Sequence, residues 1–212
     1  MKYLYITLAF ICCSYTSNAQ LRLGLKANYA KTIGSPKTIQ YGDENGHLLY
    51  EMDYVSTKDC SSFGLTALYE TGNLFFQGDM MYRKCEVNFG LREYTVARPE
   101  NFNFSEKYHL IHLPIAGGIR HGNLKLGVGP IFNFNLQSEI VLDEMELFEA
   151  NPRDLSMGFQ FMIGYQLNTF VHLDLKFERT FKSVADHYEY QYSQRRLEVS
   201  PNILSVGLGF IL

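Results

Sequence analysis

The stretch VHLDLKFE sets His172, Asp174, Lys176 and Glu178 at every second position, and these are the residue types of general acid–base catalysis. His109 and His112 add imidazoles, and Cys60 and Cys85 add thiols. Such groups do chemistry only if an element brings them together. A period of two places His172 to Glu178 on one face of a β-strand as a polar ladder, and places His109 and His112 on opposite faces, where they cannot chelate jointly. His112 and His172 share the inward type of face but come from distant strands, which gives no metal ligand set. Catalysis at a membrane rim needs a nucleophile beside a base, and no histidine is among the apolar-face residues of the strands read below. No catalytic, cofactor or metal site is expected.

The elements that hold these residues follow from composition. The chain has 212 residues, a formal charge of −3, 15 Tyr, 16 Phe, 17 Gly, only 6 Pro and no Trp. That is a β-rich composition with no basic surplus, so nucleic acid is not an expected partner. Residues 1–19 read as a signal peptide: Lys2, an apolar run from Tyr3 to Cys13, and small residues Ser17 and Ala19 before Gln20. Cleavage between Ala19 and Gln20 leaves 20–212 as one domain. The run is too short to cross a bilayer as a helix, and no later segment has the roughly 20 continuous apolar residues that such a helix needs. A membrane-embedded form of this protein must cross with strands.

Eight segments alternate. In LRLGLKANYA the set Leu21, Leu23, Leu25, Ala27, Tyr29 opposes Arg22, Lys26 and Asn28. The pattern recurs with Phe63, Leu65, Ala67, Tyr69 against Glu70, and with Leu74, Phe76, Met80, Tyr82 against Gln77, Asp79, Arg83. It continues with Ile111, Leu113, Ile115, Ile119 against His112, Ala116, Arg120, and with Leu124 to Leu136 against Lys125, Asn133 and Asn135. The last three segments are 155–167, 171–178 and the close at Leu204 to Leu212. Connections after the second, fourth and sixth are tight (Gly72-Asn73, His121-Gly122-Asn123, Asn168-Thr169). The other connections are long and polar, at 33–60, 92–107, 138–154 and 184–200. Tight turns at one end and long connections at the other are the layout of a small outer-membrane barrel.

Two features decide which face is wet. The non-apolar face mixes Gly64, Gly127, Gly129, Gly158, Gly164, Gly207 and Gly209 with isolated charges, which suits a narrow lumen just filled by side chains. Leu124 to Leu136 is also long enough, tilted, to cover a bilayer core of about 30 Å. Arg22, Lys26, Glu70, Asp79, Arg83, His112, Arg120, Lys125, His172, Asp174, Lys176 and Glu178 are then a salt-bridged lumen plug, since unpaired charges are costly to bury. The fold class is all-β, an eight-stranded antiparallel up-and-down transmembrane barrel.

If Gly72-Asn73 is a two-residue hairpin turn, positions equidistant from it face each other: Phe63 with Tyr82, Leu65 with Met80, and Cys60 with Cys85. Facing residues of this ladder have Cα atoms within disulfide reach. An exported compartment is oxidising, so a Cys60–Cys85 disulfide is expected.

The signal ending SNAQ, the strand LRLGLKANYA, the hydrophobic-Pro strand LIHLPI with its Gly-rich hairpin and G-x-G-P, and the closing SVGLGFIL resemble the PorT-like outer-membrane β-barrel family of Bacteroidota. The resemblance covers 20–212. It implies an outer-membrane location with both termini periplasmic, and a chain embedded in outer-membrane lipid and lipopolysaccharide. Its task would be structural or partner-binding. An accessory part in type IX secretion is the alternative that the family's name suggests, and a small passive pore is the third. The long connections are the remaining functional surface. YGDENGHLLYEMDY in 33–60 and DHYEYQYSQRR in 184–200 are candidate rims for a protein or glycan partner. Tyr188, Tyr190 and Tyr192 alternate and are expected to prolong the strands beyond the membrane. The acidic third connection reads as a solvated loop with one helical turn.

Overall fold

The computed structural model describes residues 20–33, 38–42, 47–94, 100–139, 148–150, 154–181, 188–190 and 202–212. The alternating segments become strands β1 (Gln20–Ile33), β2 (Thr38–Gly42), β3 (Leu48–Thr71), β4 (Leu74–Glu93), β5 (Glu100–His121), β6 (Leu124–Glu139), β7 (Phe148–Ala150), β8 (Leu155–Gln166), β9 (Val171–Thr180), β10 (Tyr188–Tyr190) and β11 (Asn202–Ile211). Eight of them run in the order β1-β11-β9-β8-β6-β5-β4-β3, and β3 pairs back onto β1, so the sheet closes on itself. Every pairing is antiparallel. Closure matters because it leaves no unpaired strand edge in the wall.

The face assignment follows the sequence pattern. Leu21, Leu23, Leu25, Phe63, Leu65, Phe76, Met80, Val128, Phe161, Leu175 and Leu208 are exposed on the outside. Their neighbours at odd steps are buried inside, among them Lys26, Asp79, Arg83, Lys125, Asp174, Lys176 and Glu178. This is the reverse of a soluble sandwich, and it is stable only if the outer face meets hydrocarbon.

Two of the tight turns are two-residue hairpins. Gly72 (φ 56°) and Gly122 (φ 59°) take the first central position, and the asparagine that follows keeps a negative φ, so glycine alone supplies the left-handed conformation. In the third turn Asn168 Oδ1 accepts hydrogen bonds from the amides of Phe170 and Val171 at 2.9 and 2.8 Å. This is the short-turn end, and the opposite one is the long-connection end.

The first two long connections are shorter than their polar composition suggests. Much of 33–60 and 92–107 is strand: β2 pairs with the start of β3, β4 runs to Glu93, and β5 begins at Glu100. The reason is visible in the residues. Alternation continues there, but with the apolar set inside: Tyr50, Met52, Val87, Phe89 and Leu91 are buried. Register shifts at Tyr54/Ser56, Thr57/Cys60 and His109/Leu110 mark the passage into this extension. Tyr188 to Tyr190 does not prolong β9 either. It pairs with Phe148–Ala150 in a separate two-stranded ladder, and residues 140–147 and 151–153, which make up most of the connection where a helical turn is expected, lie outside the described residues. The signal peptide and its cleavage point after Ala19, and most of 184–200, lie outside the described residues.

Candidate functional site

The inward column of β4 shows how the lumen is layered. From the short-turn end it reads Phe75, Gln77, Asp79, Met81, Arg83 and Cys85, followed by the apolar Val87, Phe89 and Leu91. The ionic residues of the other strands gather at three levels around this column.

At the short-turn mouth Glu70 is the hub. Its Oε2 pairs with Arg22 Nη2 and, at 3.1 Å, with Arg120 Nη1, while its Oε1 lies 3.0 Å from Lys125 Nζ. Lys125 also sits over the Phe75 ring at 5.9 Å. Phe75 belongs to an apolar cluster with Leu68, Ala116, Met162 and Ile211. A Cβ on Gly127 would come within 2.7 Å of Phe75 Cζ, so this glycine is what lets the ring fill the lumen.

The middle level is a four-charge ring. Lys26 Nζ pairs with Asp79 at 2.9 Å and with Asp174, and Lys176 Nζ reaches Asp79 at 2.7 Å. Asp79 also accepts from Thr66 Oγ1 at 2.6 Å and Gln77 Nε2 at 3.1 Å, and Asp174 accepts from Gln77 at 3.1 Å. His172 Nε2 stands 3.8 Å from Asp174. The third level joins strands across the barrel. Arg83 makes a forked pair with Glu178 at 2.8 and 3.1 Å, and its Nη2 also donates to His112 Nε2 at 2.8 Å. His112 Nδ1 donates to Asn133 Oδ1 at 2.6 Å, so the ring serves once as donor and once as acceptor. Asn133 passes the network to Ser156 at 3.1 Å, and Ser205 donates to Glu178 at 3.3 Å.

Above these levels Cys60 and Cys85 are bonded, with Cα atoms 4.2 Å apart, in an apolar cluster with Ala30 and Ile203. The structure thus brings together all twelve lumen residues, in three groups instead of one plug. What period and spacing did not reveal is the grouping, because it depends on the stagger between strands. Among the described residues no group of three His, Cys, Asp or Glu side chains is placed to hold a metal ion.

No family model matches the chain, and no curated protein matches it in sequence. Solved structures do. The outer membrane protein OprG from Pseudomonas aeruginosa superposes with a TM-score of 0.52 at 10% identity, covering 92% of this chain and 97% of that one. Neisserial surface protein A gives 0.45 at 14% identity, over 92% and 99%. The outer membrane protease OmpT from Escherichia coli gives 0.36 at 8%, over 93% and 95%. The likeness to OprG is one of fold. This chain is a β-barrel of the outer-membrane type.

One polar group stands on the barrel's outer wall, on the face opposite His112 as the period of two requires. His109 lies outside, at the top of the apolar band, and its Nδ1 is hydrogen-bonded to the Tyr82 hydroxyl. Tyr82 in turn packs edge-on against Phe63 at 5.7 Å between centroids. The expectation that no histidine stands on the apolar side therefore fails. The signal was present, since an odd position in 108–120 shares a face with Ile111 and Leu113. The cross-strand neighbours of His109 are Lys84 on β4 and Gln137 on β6.

Proposed function

We propose that this chain is an integral outer-membrane protein without a catalytic centre, which binds a protein or glycan partner through its long-connection end. The observation that supports the reading is the reversal of sidedness above Cys60 and Cys85. There β3, β4 and β5 continue as a sheet that is polar outside and, apart from Glu106, which accepts from the Tyr108 hydroxyl at 2.6 Å, largely apolar inside, with Glu51, Asp53, Asn88, Arg92, Asn101 and Asn103 on the outer face. Cross-strand bonds stiffen that face: Arg92 Nε to Asn101 Oδ1 at 2.9 Å, and Ser105 Oγ to Glu86 Oε1 at 2.8 Å. A stiff polar surface standing in water binds with little ordering cost. In this reading the apolar wall is surrounded by lipid and lipopolysaccharide, residues 1–19 direct export, and both termini are periplasmic.

Membership of the PorT-like group of Bacteroidota, and with it an accessory part in type IX secretion, is a second reading. It rests on the LIHLPI strand and the G-x-G-P that follows its hairpin. A passive pore is the third, and the packed ionic lumen speaks against it.

The test replaces residues 38–53 by a two-residue turn and compares partner capture from intact outer membranes with the unaltered chain. Loss of a surface-bound protein or glycan with secretion unchanged supports the first reading. Loss of secreted cargo overturns it in favour of the second. Steady single-channel conductance in planar bilayers overturns it in favour of the third.

A further inference from the structure

The three ionic levels of the lumen differ in charge balance. Two positive charges meet two negative ones in the middle, and Arg83 meets Glu178 above. At the short-turn mouth, by contrast, Arg22, Arg120 and Lys125 share the single carboxylate of Glu70. This leaves a surplus of two positive charges. Lys125 cannot shed its share into solvent, since its side chain is 2% exposed. Partly buried cations without counter-charge are costly, so a surplus of this kind is a place where an anion gains more than it does in water.

The donors around Glu70 are also incompletely used. Arg22 turns one guanidinium nitrogen to the Thr169 carbonyl at 3.3 Å, and its Nε makes no hydrogen bond. His172 is 3% exposed, yet neither ring nitrogen makes a hydrogen bond. Its ring occupies the space a Cβ on Gly209 would need, which fixes it against that strand. Arg22, Lys125, Gln166, Asn168, Thr169 and His172 line one narrow cleft at this mouth, whose walls must part to admit an ion.

We propose that the short-turn mouth binds a phosphate dianion, free or as the phosphomonoester headgroup of a lipid, held by Arg22, Arg120, Lys125 and His172. Two negative charges match the surplus, and guanidinium forks suit tetrahedral oxyanions. The site is at the end of the barrel opposite the partner surface and does not depend on it.

The test titrates the folded full-length mature chain in maltoside micelles by calorimetry, at about pH 8 where phosphate is a dianion. Inorganic phosphate and dihexanoyl phosphatidic acid are used in separate arms. Saturable binding at one site is expected. Arg22→Gln combined with Arg120→Gln should weaken it about tenfold or more, whereas Glu70→Gln should strengthen it about tenfold, because a competing carboxylate is gone. A merely structural role for Glu70 predicts the opposite sign. Tighter binding in one arm names the source as free phosphate or as lipid. The proposal is overturned by the absence of saturable heat in both arms, by unchanged affinity in the double variant, or by weaker binding in Glu70→Gln. Heat-modifiable gel migration reports folding of each variant. If Glu70→Gln does not fold, the double variant decides alone, since it relieves crowding of positive charge.

Discussion

Strand β4 crosses a boundary at Cys85 without breaking its alternation, and the two sides of that boundary are built to opposite rules. Towards the short turns its outward residues are Leu74, Phe76 and Met80, and its inward residues are Gln77, Asp79 and Arg83. Beyond Cys85 the outward residues are Glu86, Asn88 and Arg92, and the inward ones are Val87, Phe89 and Leu91. The backbone is the same ladder throughout, so secondary structure does not distinguish the regions. The surrounding medium does. A strand in hydrocarbon must hide its polar residues, a strand in water its apolar ones. The level of the Cys60–Cys85 bond is therefore where the wall leaves the membrane.

The largest expected effects are in the two interiors, for opposite reasons. Among the described residues, Asp79 is the one carboxylate ion-paired with both Lys26 and Lys176 in the middle ring. Asp79→Ala leaves these buried ammonium groups sharing Asp174, and should cost about 3–5 kcal/mol, the range for breaking a buried pair. Loss of the folded band in urea titration from lipid vesicles reads it directly. Phe89 is fully buried and stacks on Phe104 at 5.6 Å, so Phe89→Ala should cost about 3 kcal/mol as a cavity in an apolar interior. A polar replacement of Phe89 should be worse than alanine, whereas Asp79→Asn should be milder than Asp79→Ala. That crossing of rank orders would be absent if both interiors followed one rule.

The outer faces give the next comparison. Leu65 is 53% exposed on the wall, and Asn88 stands on the outer side of the extension. Leu65→Arg should cost about 2–4 kcal/mol in vesicles, as cations do near the bilayer midplane, and Asn88→Arg should cost about 0.5 kcal/mol or less. Equal costs would mean that the boundary has been placed wrongly. The disulfide that marks it closes a loop of 25 residues in sequence separation. Replacing both cysteines by serine should lower stability by about 2–3 kcal/mol, and the hairpin already holding the two strands together keeps the effect at the low end of the disulfide range. The urea midpoint with and without reductant measures it.

The wall was legible because a two-residue period is local: reading Leu21 to Tyr29 or Leu124 to Leu136 needs no knowledge of the neighbouring strand. The Cys60–Cys85 pairing was legible because a two-residue turn fixes register over the strand that follows it. The extension was missed for a definite reason. Glu51, Asp53, Asn88 and Arg92 make a segment look like a polar loop when hydrophobic content is counted, although Met52, Phe89 and Leu91 keep the period. The division of the charges into levels was not legible at all. Glu70 meets Arg22, Arg120 and Lys125 through the closure of β3 on β1 and the approach of β5 and β6, and a single sequence carries no trace of that stagger. A near balance of charge over the whole lumen therefore concealed a local surplus.

The smallest effect tests the same boundary with ion pairs alone. Lys107 and Glu139 pair across β5 and β6 at 3.3 Å, a distance comparable to those in the middle ring, but their side chains are 44% and 52% exposed. In water both ions keep most of their hydration, and holding two long side chains together costs entropy, so Glu139→Gln should change stability by less than about 1 kcal/mol. Added salt should erase even that, because exposed charges are screened within about 10 Å at 0.1 M. The middle ring, dry on all sides, should be insensitive to the same salt. A salt-independent loss at Glu139, measured against the unaltered chain in vesicles, would show that this pair is as dry as Lys26 and Asp79. The membrane boundary would then have to rise above Glu139 on β6 while staying at Cys85 on β4.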